Sequence, residues 1–141
     1  MNPKIKAYGA AIGVWFIFLI IAFAFGTARE LVVRPLLGEL SSHLVGTFAV
    51  MAAFLTVITV FVLRVFSLCI SQDFWRIGFL WFLMTVSFEF LFFHYVAGKS
   101  WSELLADYNI AEGRVWVLVL LTTLFGPPAI HAIIRRRNSN P

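Results

Sequence analysis

The sequence predicts an all-α integral membrane protein: a bundle of four transmembrane helices with a short interfacial amphipathic helix in the third connection. Three observations carry that prediction. Of the 141 residues, 61% are hydrophobic and only 13% charged, whereas soluble domains approach a quarter charged; mean hydropathy is +0.91. Four stretches, residues 7–28, 44–63, 77–98 and 115–134, are uncharged or nearly so and approach the roughly 20 residues that cross about 30 Å of hydrocarbon. They are continuous apolar runs rather than ten-residue alternations, and backbone groups cannot face lipid unpaired, so helices are favoured over a barrel.

Residues 7–28 follow Lys4 and Lys6 and end near the small residues Gly26 and Ala28, in outline like a secretory signal. Their apolar core exceeds the roughly 7–15 residues of a signal, so this stretch is read as a retained span. Pro35 is expected to break the exit of that helix, leaving residues 36–42 as a weak interfacial turn. Residues 44–63 make the second span and residues 77–98 the third, which carries Glu89 within its apolar run. Beyond it, Ser100 and Ser102 are helix-capping types. Trp101, Leu104, Leu105 and Tyr108 recur at helical spacing, with Glu103 and Asp107 on the other side. This reads as an amphipathic helix lying in the interface, its Trp and Tyr in the aromatic belt. The fourth span is interrupted by Gly126-Pro127-Pro128. The two prolines remove the donors for the carbonyls of Thr123 and Leu124, which makes Pro127 and Pro128 either a fixed kink or a hinge.

Connections of about 13 to 16 residues leave no room for an extramembrane domain, so residues 1–141 form one transmembrane domain. Lys4, Lys6, Arg64, Arg76 and Arg135 to Arg137 fall on one side, against Arg29, Arg34, Lys99 and Arg114 on the other. By the positive-inside rule both termini are expected in the cytoplasm. The net charge of +4 is thus a topology signal and gives no reason to expect nucleic acid as a partner. Arg135 to Arg137 read as an anchor that can also touch anionic lipid. The single cysteine, Cys69, excludes an intrachain disulfide and a Cys-rich metal site, and reads as a packing residue.

Glu89 is the residue most in need of an explanation. A carboxyl group at the centre of a membrane helix costs roughly 2.5 kcal/mol or more, so it faces a bundle interior, a partner or water. Counted from the start of the predicted span, it falls near the midplane, with Thr85 one turn earlier on the same face. Arg29, at the outer end of the first helix, is the candidate cation for it, and His94 a second. These four residues form either a buried hydrogen-bonded pair or a proton-, cation- or substrate-binding site. His43 and His94 fall at the same outer level, where two histidines on facing helices could hold haem, or zinc with Glu30 or Glu39. No HExxH, Cys pair or second His layer accompanies them, and no cofactor is implied elsewhere. Gly9 and Gly13 form a small-xxx-small pair suited to a close helix contact or an oligomer face. Weak parallels at an offset of about 66–68 residues, Trp15-Phe16 with Trp81-Phe82 among them, suggest two halves related by an axis along the membrane normal.

Ala28-Arg29-Glu30-Leu31, Gly38-Glu39-Leu40, Phe88-Glu89-Phe90, His94-Tyr95-Val96-Ala97-Gly98, Ser100-Trp101, Leu104-Leu105-Ala106-Asp107-Tyr108-Asn109 and Gly113-Arg114 give the chain a likeness over most of its length. It resembles a family of uncharacterised bacterial four-helix inner-membrane proteins. That resemblance implies a multi-pass protein of the bacterial inner membrane and supplies no site.

With no Walker motif, no GxSxG and no paired acidic cluster, the residues point away from an enzyme. The leading expectation is a small proton- or cation-linked channel or transporter built around Glu89, in the lipid bilayer as a homo-oligomer or within a larger complex. The alternative is a non-catalytic accessory or assembly subunit of a larger membrane complex.

Overall fold

The computed structural model describes residues 2–106 and 117–140. Helix α1 (Pro3–Ala28) opens with Asn2, whose side-chain oxygen accepts the Lys4 N–H at 2.9 Å, and with proline at a position where no backbone donor is needed. The helix does not end where charge first appears. It continues through a π-helical turn, Arg29–Val33, into the short α2 (Arg34–Leu37). The Arg34 N–H reaches back five residues to the Arg29 carbonyl. The ladder is therefore already widened just ahead of Pro35, and the missing proline donor is absorbed without a break. Pro35 thus does not break the exit as expected, and no separate interfacial turn forms over residues 36–42. The chain turns at Gly38, whose φ of +82° is the left-handed conformation glycine adopts at little cost, and α3 (Glu39–Val65) follows at once.

A short turn leads into α4 (Ser71–Leu91), which ends in a second π turn, Phe92–Val96. After Gly98 comes α5 (Trp101–Ala106), the first part of the expected interfacial helix; Asp107 and Tyr108 lie outside the described residues. Its start is a capping box. Ser100 Oγ accepts the Glu103 N–H at 3.3 Å, while the Glu103 carboxylate accepts the Ser100 N–H at 3.2 Å. The last long helix is α6 (Val117–Ser139).

Four helical stretches, Pro3–Leu37, Glu39–Val65, Ser71–Val96 and Val117–Ser139, are long and apolar enough to cross a membrane, and no strand occurs among the described residues. The first two extend past both predicted limits, the third starts earlier than residue 77 but ends at Val96, and the fourth runs beyond residue 134 to Ser139; flanking Arg, Glu and Ser side chains can leave the bilayer edge while their backbone stays helical. α6 packs most extensively on α4 and also on α3, α1 packs on α3, and α1 meets α4 only sparsely.

The α1 stripe Ala7, Ala11, Trp15 and Phe18 turns inward, against Phe54, Ile58 and Phe61 of α3 and Phe74, Ile77 and Trp81 of α4. The alanines give α4 room to approach, so that the Trp81 indole N–H reaches the Ala11 carbonyl at 2.8 Å. α4 and α6 approach each other closely at Gly78. A Cβ at Gly78 would fall onto the Leu124 carbonyl oxygen, with the Thr123 oxygen 3.3 Å away. These are the two carbonyls that Pro127 and Pro128 leave without donors, and they are turned against the one α4 residue lacking a side chain. Both prolines are buried, so bending α6 there requires opening the α4/α6 joint. Gly9 and Gly13 make no such contact: nothing lies within 4 Å of a Cβ at either position.

Candidate functional site

The seam between α1 and α4 changes character along its length. At the end bearing the termini it is tied by polar groups. Asp73, in the first turn of α4, is wholly buried; it accepts the Tyr8 hydroxyl at 3.0 Å and the Ile70 N–H at 2.9 Å, and pairs with Lys4 at 3.2 Å. One and two turns further along α1 come Trp81 to Ala11 and then Trp15, whose indole N–H donates to Thr85 Oγ1 at 3.1 Å. Beyond that bond ring contacts bridge the two helices. Trp15 and Phe23 meet Phe88 edge-on with centroids 5.8 and 6.3 Å apart, and Phe23 meets Phe92 at 5.9 Å.

A cavity of about 590 Å³ opens in this second half, between α1, α3 and α4, a size typical of ligand pockets. Its floor is the aromatic layer in which Phe18 stacks on Phe54 at 4.4 Å and meets Trp81 edge-on at 4.9 Å. Thr85 and Glu89 stand one turn apart on its α4 wall, and Arg29, Glu30, His43 and Lys99 line its upper part. The π turns of α1 and α4 both begin beside this upper part, an irregularity that favours functional positions.

Arg29 is placed by a glycine. Its stem crosses α3 at Gly46, where a Cβ would lie 3.0 Å from Arg29 Cδ, and one turn earlier His43 meets the guanidinium at 2.8 Å. Since arginine only donates, His43 Nδ1 is the acceptor and the imidazole proton sits on Nε2. The other Arg29 nitrogen pairs with Glu30 at 2.6 Å, and Glu30 also holds Arg34 at 2.8 Å, so the triad carries one net positive charge. Arg29 Nε is buried and has no hydrogen-bond partner among the described residues.

Three of the four residues expected to form the intramembrane site, Glu89, Thr85 and Arg29, therefore share one cavity. The fourth stands apart. His94 lies in the second π turn, stacked on Trp101 at 3.8 Å, with Nδ1 2.8 Å from the Lys99 carbonyl oxygen. Donation from His94 is the only arrangement that fits a carbonyl acceptor. His43 and His94 thus have different surroundings, and no group of three or more His, Cys, Asp or Glu among the described residues is placed to hold a metal ion. Glu89 also sits farther along its helix than the predicted span places it. Because α4 begins at Ser71, Glu89 lies about 18 residues, or roughly 27 Å, along it, well past the middle of the Ser71–Val96 span.

Asp73 is the residue that sequence reasoning missed. It falls in the connection between the second and third predicted spans, and its partners Lys4 and Tyr8 are distant in the chain. The available signal was an acidic residue in the first turn of an amphipathic helix, which favours a helix N-terminus.

The fold and the site define a four-span helical membrane protein with a half-depth cavity containing a carboxyl group. Compared with protein-family models, curated proteins and solved structures, the chain matches none.

Proposed function

We propose that this is a small transport-type protein of the bacterial inner membrane, with both termini cytoplasmic, in which Glu89 binds a proton or cation and Arg29 modulates it. One observation carries the reading. The cavity that contains Glu89, Thr85 and Arg29 occupies only the half of the α1/α4 seam away from the termini, and the other half is closed by an aromatic floor and polar ties. A channel needs a continuous path. A site open on one side and latched on the other suits a carrier that exchanges access, with the ring-bridged upper seam and the hydrogen-bonded lower seam as alternating barriers. The positive-inside distribution supports the orientation.

The experiment is proton- and cation-flux measurement on reconstituted vesicles, wild type against Glu89→Gln. The reading expects flux in the wild type and at least a tenfold loss in the variant at equal folded protein. Flux that survives the substitution removes Glu89 from the mechanism, and wild-type vesicles as tight as empty ones remove the transport reading.

A second reading, an accessory subunit, is favoured by the face of α1 opposite the core. Gly9, Gly13, Phe16 and Ile20 follow one another at helical spacing and are all exposed, a strip on which a partner's helix can close. Native mass spectrometry of protein extracted from its host membrane separates the two, since a stoichiometric foreign subunit supports the accessory role and a lone homo-oligomer the carrier.

A further inference from the structure

A second concavity lies at the other end of the bundle. α4 and α6 part near the termini to leave a groove of about 540 Å³, and its chemistry is graded along α6. Arg135, Arg136 and Ser139 line the rim, with Ser71 Oγ 3.5 Å from an Arg135 guanidinium nitrogen. Toward the membrane interior the lining becomes Trp75, Pro128 and Phe125, and Trp75 meets Phe125 edge-on at 5.9 Å. From Ser139 to Phe125 the α6 wall runs about 21 Å at 1.5 Å per residue, the scale of a headgroup and much of an acyl chain.

Among the described residues no carboxylate compensates the charges at the rim, and neither Arg135 nor Arg136 forms an ion pair. The nearby carboxylate, Asp73, is wholly buried, does not line the groove, and is engaged by Lys4, Tyr8 and the Ile70 N–H, with Arg76 at 3.7 Å. Two guanidinium groups at the membrane edge above an apolar trough within the spanning length are complementary to one kind of molecule.

We propose that this groove binds a phospholipid with an anionic headgroup, drawn from the leaflet on the side of the termini, its phosphate between Arg135 and Arg136 and one acyl chain along Trp75, Phe125 and Pro128. A small soluble anion would leave the trough empty. A lipid without net charge would leave the two arginines uncompensated, whereas an anionic headgroup seated between them receives charge-assisted hydrogen bonds from both. This inference does not depend on the transport reading, because it concerns the opposite end of the molecule and a different pair of helices.

The test uses the full chain in nanodiscs containing brominated-chain phosphatidylglycerol or brominated-chain phosphatidylcholine at matched mole fractions. Bromine quenches indole emission on contact, and the share belonging to Trp75 is obtained by difference from Trp75→Phe. The expected result is stronger quenching by phosphatidylglycerol, with apparent affinity falling about tenfold in Arg135→Gln and again in Arg136→Gln as a charge-assisted hydrogen bond to the phosphate is lost each time. Arg137→Gln, which removes the same charge from a residue that does not line the groove, is expected to change it less than twofold. Native mass spectrometry gives a check that needs no tryptophan substitution: one phosphatidylglycerol retained by the wild type and lost from the Arg135→Gln/Arg136→Gln variant. Equal quenching by the two lipids overturns the proposal. So does an equal loss in Arg137→Gln, which would reduce the effect to diffuse surface charge.

Discussion

Trp15 donates its indole N–H to the Thr85 hydroxyl at 3.1 Å, and beyond this bond the α1/α4 seam parts around the cavity. Both groups are at least partly buried, so losing one partner leaves the other without compensation. Thr85→Val keeps the shape and removes the acceptor, and is expected to cost about 1–2 kcal/mol. With Trp15→Phe in a double-mutant cycle, the coupling is expected near 1 kcal/mol. Reversible unfolding in mixed micelles measures it, and additive single variants would mean that the seam is held by ring packing instead.

How much of this was legible beforehand depends on distance along the chain. The four spans follow from local composition, so they were readable from the sequence. Their ends were not. Arg29 and Glu30 marked a predicted exit, yet the pairs Arg29–Glu30 and Glu30–Arg34 are made from within a continuing helix. Glu89 and Thr85 could be placed on one face by periodicity, and Arg29 beside them by depth. What sequence could not supply was the contact of His94 with Trp101, which takes that imidazole away from Glu89's cavity, or the convergence of Lys4 and Tyr8 on Asp73. Neither a contact folded back across a turn, as at His94, nor one of long range, as at Asp73, leaves a periodic trace.

Asp73 is the anchor of the lower seam, and its removal is expected to be felt more than that of any single exposed partner. Asp73→Asn loses charge-assisted bonds to a wholly buried carboxylate and should destabilise by about 2 kcal/mol. Lys4→Met removes a half-exposed partner but leaves the carboxylate its Tyr8, Ile70 and Arg76 contacts, and should cost about 1 kcal/mol. The same unfolding assay ranks them, and a larger effect at Lys4 would place the stabilisation in the ion pair.

Cys69 lies in the turn between α3 and α4 with 8% of its surface exposed. Burial, reinforced by the Asp73 charge, pushes its thiol above the ordinary range. Alkylation needs the thiolate, so at neutral pH the native protein is expected to react with iodoacetamide at least tenfold more slowly than a model peptide thiol. The rate should keep climbing with pH after the peptide has levelled off. A rate equal to the peptide's at pH 7 would show that the turn opens freely.

The glycines give a graded test of the packing. At Gly78 an added methyl group meets the rigid Leu124 carbonyl, an obstacle that can yield only if α4 and α6 separate, so Gly78→Ala is expected to cost about 3 kcal/mol. At Gly126 the nearest atom is the end of the Ile58 side chain, 2.9 Å away. That terminal methyl can turn aside, and Gly126→Ala should cost about 1 kcal/mol, offset in part by the better helix propensity of alanine. Gly9→Ala and Gly13→Ala meet nothing within 4 Å in the single chain, and propensity alone makes them neutral to slightly stabilising for the monomer. Thermal unfolding of the four variants should rank them in that order. If Gly9→Ala and Gly13→Ala instead weaken self-association or release a bound subunit while monomer stability holds, that face of α1 is an interface between chains. The Gly78 result would still define the joint on which α6 and its two prolines rest.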